Sequence, residues 1–294
     1  MMEKVKALNV SNDELNDYEE ECFFKIKKNP DFYGLLLNNG FEDLSIKKFI
    51  GSCNAYYNDY LEWQKLKTID DINESGVQYG YNLKLVDGQL TRERYLLPAY
   101  QNYMDFQSKF LFKDYPDSFD KITLKNVDNI TLKAKIKKQV KDKNWIYITG
   151  AIRSGRTFCS IALINASANK GSNNLAFIDC QTRIKELQDL FFNDKTDFNK
   201  RMEMLKEAHV LVLDGFGNEY INNIVKENIV LPILLARASN KKTTIFTSDF
   251  SIDEIISLYS KYGKDGADIK VKQLSKLLKS MIKEEIVTSK SSLY

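Results

Sequence analysis

The residues of this chain with the most chemical content lie between two glycines, Gly150 and Gly155, and just beyond them. The run Gly150-Ala151-Ile152-Arg153-Ser154-Gly155-Arg156-Thr157 has the G-x-x-x-x-G-K-[ST] spacing of a phosphate-binding loop, with Arg156 in the lysine position. Such spacing lets successive N–H groups turn inward on a polyphosphate. The helix that follows offers the positive end of its dipole to the same anion. Thr157 would place a hydroxyl on a magnesium ion, and the preceding side chain a cation on the outer phosphates. Arginine is not a neutral replacement there, because a planar fork does not fit where a thin-stemmed ammonium does. The same spacing also suits an ordinary strand–turn–helix whose glycines only turn the chain. A second group bears on the choice. Val210-Leu211-Val212-Leu213-Asp214 is an apolar run ended by an aspartate, like the magnesium-holding strand of a phosphate-loop enzyme. A turn-forming aspartate at a strand end is common in itself. The run from Thr243 to Ser248 and Asp249 likewise ends in polar groups.

Short apolar runs alternating with amphipathic segments must position these groups. Strands are expected at 145–149, 175–179, 210–214, 243–248 and 285–288, and helices at 157–170, 182–192, 198–208, 222–238, 252–259 and 271–283. Strands this apolar, separated by helices, specify a parallel sheet covered on both faces. In such sheets ligands sit at the carboxyl ends of strands, where Gly150 and Asp214 both fall. Upstream, Ser11 and Glu14 form a capping-box pattern opening a helix to about residue 28, and a short helix follows at 32–37. A third helix, 43–66, carries Phe49, Cys53, Tyr56, Tyr60 and Trp63 at three- and four-residue steps, a core stripe rather than a base-stacking platform. Residues 81–97 alternate around Asp87-Gly88, which argues a hairpin. A connecting helix is expected at 100–112, a turn cluster and domain boundary at 114–118, and a basic helix at about 126–143.

Composition sets the outer limits. With 294 residues, 43% hydrophobic and 28% charged, the chain can bury a sizeable core and suits two domains. No apolar run reaches the ~18 residues of a membrane span, and residues 1–10 lack the apolar core of a signal peptide. Cys22, Cys53, Cys159 and Cys180 are scattered and His209 is the one histidine, so no zinc site and a cytoplasmic protein with free thiols are expected. Charge is uneven: 14 Lys and Arg face 21 Asp and Glu in residues 1–120, and 29 face 19 in residues 121–294. An acidic front and a basic back suggest different partners, an anionic one for the back.

Together these stretches resemble the AAA+ ATPases and, within them, the bacterial primosomal helicase loaders of the DnaI/DnaC kind. Leu213-Asp214-Gly215-Phe216-Gly217-Asn218-Glu219 is similar to that family's L-D-D-I-G-A-E. Thr244-Ile245-Phe246-Thr247-Ser248-Asp249-Phe250 is similar to its sensor 1 strand, T-F-F-T-S-N-F. Val230-Leu231-Pro232-Ile233-Leu234-Leu235-Ala236-Arg237 is similar to the helix that carries its trans-acting arginine finger. Leu83-Lys84-Leu85-Val86-Asp87-Gly88-Gln89 is similar to the hairpin of the DnaI helicase-binding domain. The resemblance implies an α/β protein: an AAA+ parallel sheet covered by helices on both faces, preceded by a smaller, mainly helical domain with a β-hairpin. Residues 1–115 would grip the helicase, 116–144 would form a linker and basic helix, and 145–294 would bind nucleotide. It implies ATP and magnesium at residues 150–157, with Thr157 and Asp214 at the metal and Asp214, Asp249 and Arg237 as the catalytic set. Implied partners are a DnaB-type hexameric helicase, single-stranded DNA and other primosome proteins, with no membrane. Arg183, Lys185, Lys241 and Lys242 are candidate DNA contacts.

The departures from the family pattern fall at chemically active positions. Arg156 replaces the loop lysine, Gly215 the second acid that would orient the attacking water, and Asp249 the sensor asparagine. Residues 271–283 hold only lysines where a sensor 2 arginine is expected. Where DnaI-type proteins hold zinc, the hairpin region has neither Cys nor His, so aromatic packing is expected in place of the metal. Nucleotide binding is expected to survive, because the backbone cradle, Thr157 and Asp214 do not depend on the lost groups. Hydrolysis is expected to be weak or absent unless Glu219, close in sequence, is recruited. Two further readings stand beside this one: an active AAA+ loader, and a transposition helper similar to IstB, which usually lacks the hairpin domain.

Overall fold

A computed structural model describes residues 12–127, 130–142, 144–261 and 269–288. The chain divides into two compact units, one up to Asp105 and one from Phe106. In the first, helices α1 (Asn12–Lys28), α2 (Pro30–Asn38), α3 (Asp43–Lys48), α4 (Ile50–Trp63) and α5 (Ile69–Ser75) precede strands β1 (Tyr79–Val86) and β2 (Gln89–Leu96). The strands pair as an antiparallel hairpin, and α6 (Pro98–Gln107), whose last turn crosses the division, follows. Asp87 and Gly88 take φ of 50° and 76°, a two-residue turn whose twist matches the strands it joins. The aromatic stripe packs as core. Cys53 and Tyr56 are buried, and the rings of Tyr56 and Trp63 lie 5.2 and 5.1 Å from that of Tyr81. Ring packing therefore fastens α4 to β1. Among the described residues no group of three or more His, Cys, Asp or Glu is arranged to hold a metal. The helix expected over 43–66 is two helices, bent at Phe49 (φ −111°, ψ 30°) so that Ile46 and Ile50 are both buried. Ser11, and with it the expected capping box, lies outside the described residues.

The second unit contains β3 (Phe110–Lys113), α7 (Ile130–Lys141), β4 (Ile146–Gly150), α8 (Arg156–Asn169), β5 (Leu175–Asp179), α9 (Cys180–Asn193), α10 (Lys195–Glu207) and β6 (Val210–Asp214). A π-helical run, Val225–Val230, leads into α11 (Leu231–Ser239), followed by β7 (Thr243–Ser248), α12 (Ile252–Ser260), α13 (Ile269–Met281) and β8 (Glu285–Thr288). The strands form one six-stranded sheet in the order β3-β5-β6-β7-β4-β8, all parallel. Alternate side chains feed two cores. Tyr147, Ile178, Leu213 and Phe246 pack with α9 to α13, while Ile148, Phe177, Val212 and Ile245 pack with α7 and α8. Burial on both faces is why these strands read as unbroken apolar runs.

The helix expected to 112 stops at Gln107, and after a two-residue turn Phe110–Lys113 form an edge strand paired with β5. The division of the chain consequently falls ahead of the turn cluster at 114–118. The basic helix α7 belongs to the second unit, where Ile136 is fully buried in the core. No helix among the described residues is long and apolar enough to cross a membrane. All four cysteines are free and buried. Burial pushes the thiols of Cys53 and Cys159 up to about 11.

Candidate functional site

The sequence-predicted groups converge at the carboxyl ends of β4, β6 and β7. The loop leaves β4 at Gly150, whose φ is 154°, and a side chain there has no room. A Cβ would meet the Thr288 carbonyl oxygen at 2.5 Å and Ser154 Oγ at 2.8 Å. The hydroxyls of Ser154 and Thr288 lie 2.6 Å apart, both residues buried, so β8 braces the loop from behind. Gly155, at φ 89°, turns the chain into α8. Arg153 holds a left-handed φ of 63°, a conformation uncommon outside glycine and characteristic of tight loops. Ala151 and Ile152 form the exposed tip. The resulting loop has the close backbone approach and helix N-terminus that an anionic phosphate requires.

On one side of this loop, Thr157 Oγ1 donates to both carboxylate oxygens of Asp214, at 3.0 and 3.1 Å. Thr247 Oγ1 donates to Asp214 Oδ1 at 2.6 Å and itself accepts from the Gly215 N–H at 2.9 Å. Burial raises the Asp214 pKa, and the Thr247 and Thr157 hydroxyls oppose that by hydrogen-bonding the charged form. A hydroxyl and a carboxylate so placed are hard oxygen donors, the set magnesium takes in phosphate-loop sites. The donor chemistry fits that ion.

On the other side, Arg156 Nη2 donates to Asp249 Oδ1 in an ion pair whose side chains are 13% and 27% exposed. Asn218 Nδ2 donates to the second oxygen, Asp249 Oδ2, at 2.8 Å. The Phe250 carbonyl next to Asp249 accepts from Tyr147 Oη at 2.7 Å and Thr149 Oγ1 at 3.2 Å. Arg156 Nη1 is buried and has no acceptor among the described residues. Thr247, Asn218, Tyr147 and Thr288 escape a motif-based reading because their roles depend on neighbouring strands. For Thr247, Asn218 and Thr288 the one sequence signal is a hydroxyl or amide at or just past a strand end; Tyr147, inside β4, has none.

The structure bears on three expectations and corrects the first. Arg237 does not stand free for a neighbouring subunit: it is fully buried. It donates to the carbonyls of Leu205, Lys206, Ala208 and Thr243 and to Thr244 Oγ1. Burial pulls its pKa down, and these acceptors keep the charge compensated. It ties α11 to the end of α10. Glu219 is also out of reach of a substrate water, since it is 4% exposed. It accepts from the Tyr259 hydroxyl and, at 2.7 Å, from the Gly217 N–H, and burial raises its pKa. Of the candidate DNA contacts, Arg183 is engaged by Asp114 and Glu186 and Lys242 by Glu207. Lys185 and Lys241 are exposed.

No family model matches the chain. Over 255 residues, 80% of this chain and 80% of that protein, the sequence is 25% identical to the replicative helicase loader DnaI of Bacillus subtilis (strain 168). A crystal structure of DnaI matches with a TM-score of 0.50 and 19% identity, covering 64% of this chain and 99% of that one. The crystal structure of the DnaC helicase loader matches with a TM-score of 0.47 and 21% identity, covering 59% and 100%. The second unit has the AAA+ fold. The resemblance to DnaI-type loaders that the motifs carry is found over most of the chain. At 255 residues it is longer than the Phe106–Tyr294 unit, so it reaches into the first unit as well.

Proposed function

We propose that this chain is a replicative helicase loader acting in DNA replication initiation. Its first unit grips a DnaB-type hexameric helicase. Its AAA+ unit binds nucleotide with magnesium, and single-stranded DNA, and hydrolyses ATP weakly or not at all. The observation that carries this reading is the likeness to DnaI across both units. That span also favours a loader over a transposition helper, since the hairpin unit is part of it. The loop geometry supports nucleotide binding: the Gly150 turn admits no side chain, and Thr157 and Asp214 are hydrogen-bonded to each other beside the loop. When bound, magnesium would neutralise phosphate charge. What the chain itself does is hold the phosphates on backbone N–H groups and orient Asp214 through Thr247.

Weak hydrolysis is supported by what surrounds that cradle. No carboxylate follows Asp214, Glu219 is buried against Tyr259, and Arg237 is committed to the interior. The acidic front and basic back support the split of partners, because phosphate contacts need cations and bind in a salt-dependent way.

The test is a pull-down with the host's replicative helicase, using the full chain and residues 1–105 and 106–294 separately. The full chain and the 1–105 piece should retain helicase, and the 106–294 piece should bind single-stranded DNA with steep salt dependence. A full chain that retains no helicase would sink the loader reading. ATP turnover should stay near background, and a rate on the order of 1 s⁻¹ or more, ordinary for an enzyme, would remove the weak-hydrolysis part.

A further inference from the structure

We infer that the loop is built for a nucleoside diphosphate, with the Asp249 carboxylate standing where a third phosphate would meet the loop cation; this rests on the nucleotide-binding reading above. The cation that follows the second glycine of a phosphate-binding loop reaches the β- and γ-phosphates of a triphosphate. Here that cation is Arg156, and one arm of its guanidinium is already bonded to a carboxylate of the chain itself. The carboxylate is held in place. Asn218 grips its other oxygen at 2.8 Å, and Tyr147 and Thr149 fix the following peptide through the Phe250 carbonyl.

The other arm of the fork supplies the second half of the inference. Arg156 Nη1 is buried without an acceptor among the described residues, a costly state for a charged donor unless an anion is meant to meet it. A guanidinium can serve two anions at once through separate N–H groups, which an ammonium at this position does less well. Arg156 is therefore divided between one internal anion and one bound one. A triphosphate would have to displace Asp249 or bring its terminal oxygens against a fixed like charge. A diphosphate does neither, and it keeps the Thr157–Asp214 side for its magnesium. On this view the arginine and the aspartate, read separately as two departures from a motif, are one change made at two positions. Like charges a few ångströms apart in a partly buried site disfavour the triphosphate by about 10-fold or more.

The experiment is calorimetric titration of the full chain, in magnesium, with ADP and with an ATP analogue whose β–γ bridge cannot be hydrolysed. Wild type, Asp249→Asn and Asn218→Ala are compared, with a thermal melt for each variant. Asp249→Asn keeps the size and shape of the side chain, and Asn218→Ala loosens the clamp without touching either charge. The wild type should bind ADP about 10-fold or more tighter than the analogue. Asp249→Asn should bring the ratio close to one by tightening the analogue, and Asn218→Ala should move it part of the way. Equal affinities in the wild type, or a ratio that Asp249→Asn does not move, would overturn the diphosphate inference and leave the nucleotide site standing. Binding of neither nucleotide by wild type or Asp249→Asn would overturn both.

Discussion

The two sides of the phosphate-binding loop differ in kind. The side facing β6 keeps the hydroxyl and the first carboxylate of the phosphate-loop pattern: Thr157 on the first turn of α8 and Asp214 at a strand end, with Thr247 of β7 bonded to Asp214. The side facing the end of β7 keeps the positions and changes the chemistry, with an arginine tied to an aspartate; at the end of β6 the one departure is Gly215, where a second acid would stand. The difference teaches that the cradle and the reaction are separable. Backbone N–H groups and a helix end depend on glycines and strand ends alone. Phosphoryl transfer depends on individual side chains aimed at a water and at developing charge.

The sharpest way to break this comparison is Asp214→Ala. If the β6 side is the working half, removing its carboxylate should abolish the magnesium-dependent part of nucleotide affinity, by about 100-fold in magnesium and little in a chelator. Titration with and without the metal measures it, and an unchanged affinity in magnesium would erase the asymmetry. Arg237→Ala comes next in size. It strands the carbonyls of Leu205, Ala208 and Thr243 in the interior, at a cost of about 3 kcal/mol, so urea unfolding should shift well below the wild type. Nucleotide affinity in the folded variant should hold. A stable variant with altered nucleotide handling would restore the arginine to the site. Gly215→Asp is the mildest. Its φ of 69° is strained for a side chain, but the nearest atom to an added Cβ is Asn218 Nδ2 at 3.5 Å, so it should fold. ATP turnover should remain near background, because Arg156 and Asp249 are still paired. A rise to ordinary enzymatic rates from this change alone would place the whole defect in the missing acid.

The sheet was legible because buried parallel strands leave unbroken apolar runs, and the hairpin because Asp87-Gly88 has only one comfortable conformation between alternating strands. The loop was legible because glycines at fixed spacing have few other uses. What stayed hidden depends on distant partners. Phe110–Lys113 is too short to show alternation and becomes a strand only beside β5, far along the chain. The bend at Phe49 has no proline to announce it. Nothing in the position of Arg237 on its helix distinguishes an exposed finger from a buried clamp. That depends on the carbonyls of α10, which approach only in the folded unit.

The four buried cysteines give the chain a built-in clock. Cys22 and Cys53 lie in the first unit and Cys159 and Cys180 in the second, all enclosed. Buried thiols react with alkylating reagents only when their surroundings open and the reactive thiolate can form and meet the reagent. Burial pushes two of them, Cys53 and Cys159, up to about 11, one in each unit. Timed alkylation followed by mass spectrometry would therefore read the opening of each unit separately in the unlabelled natural sequence. Helicase or nucleotide added to the same reaction would register as a slower clock in whichever unit it holds shut.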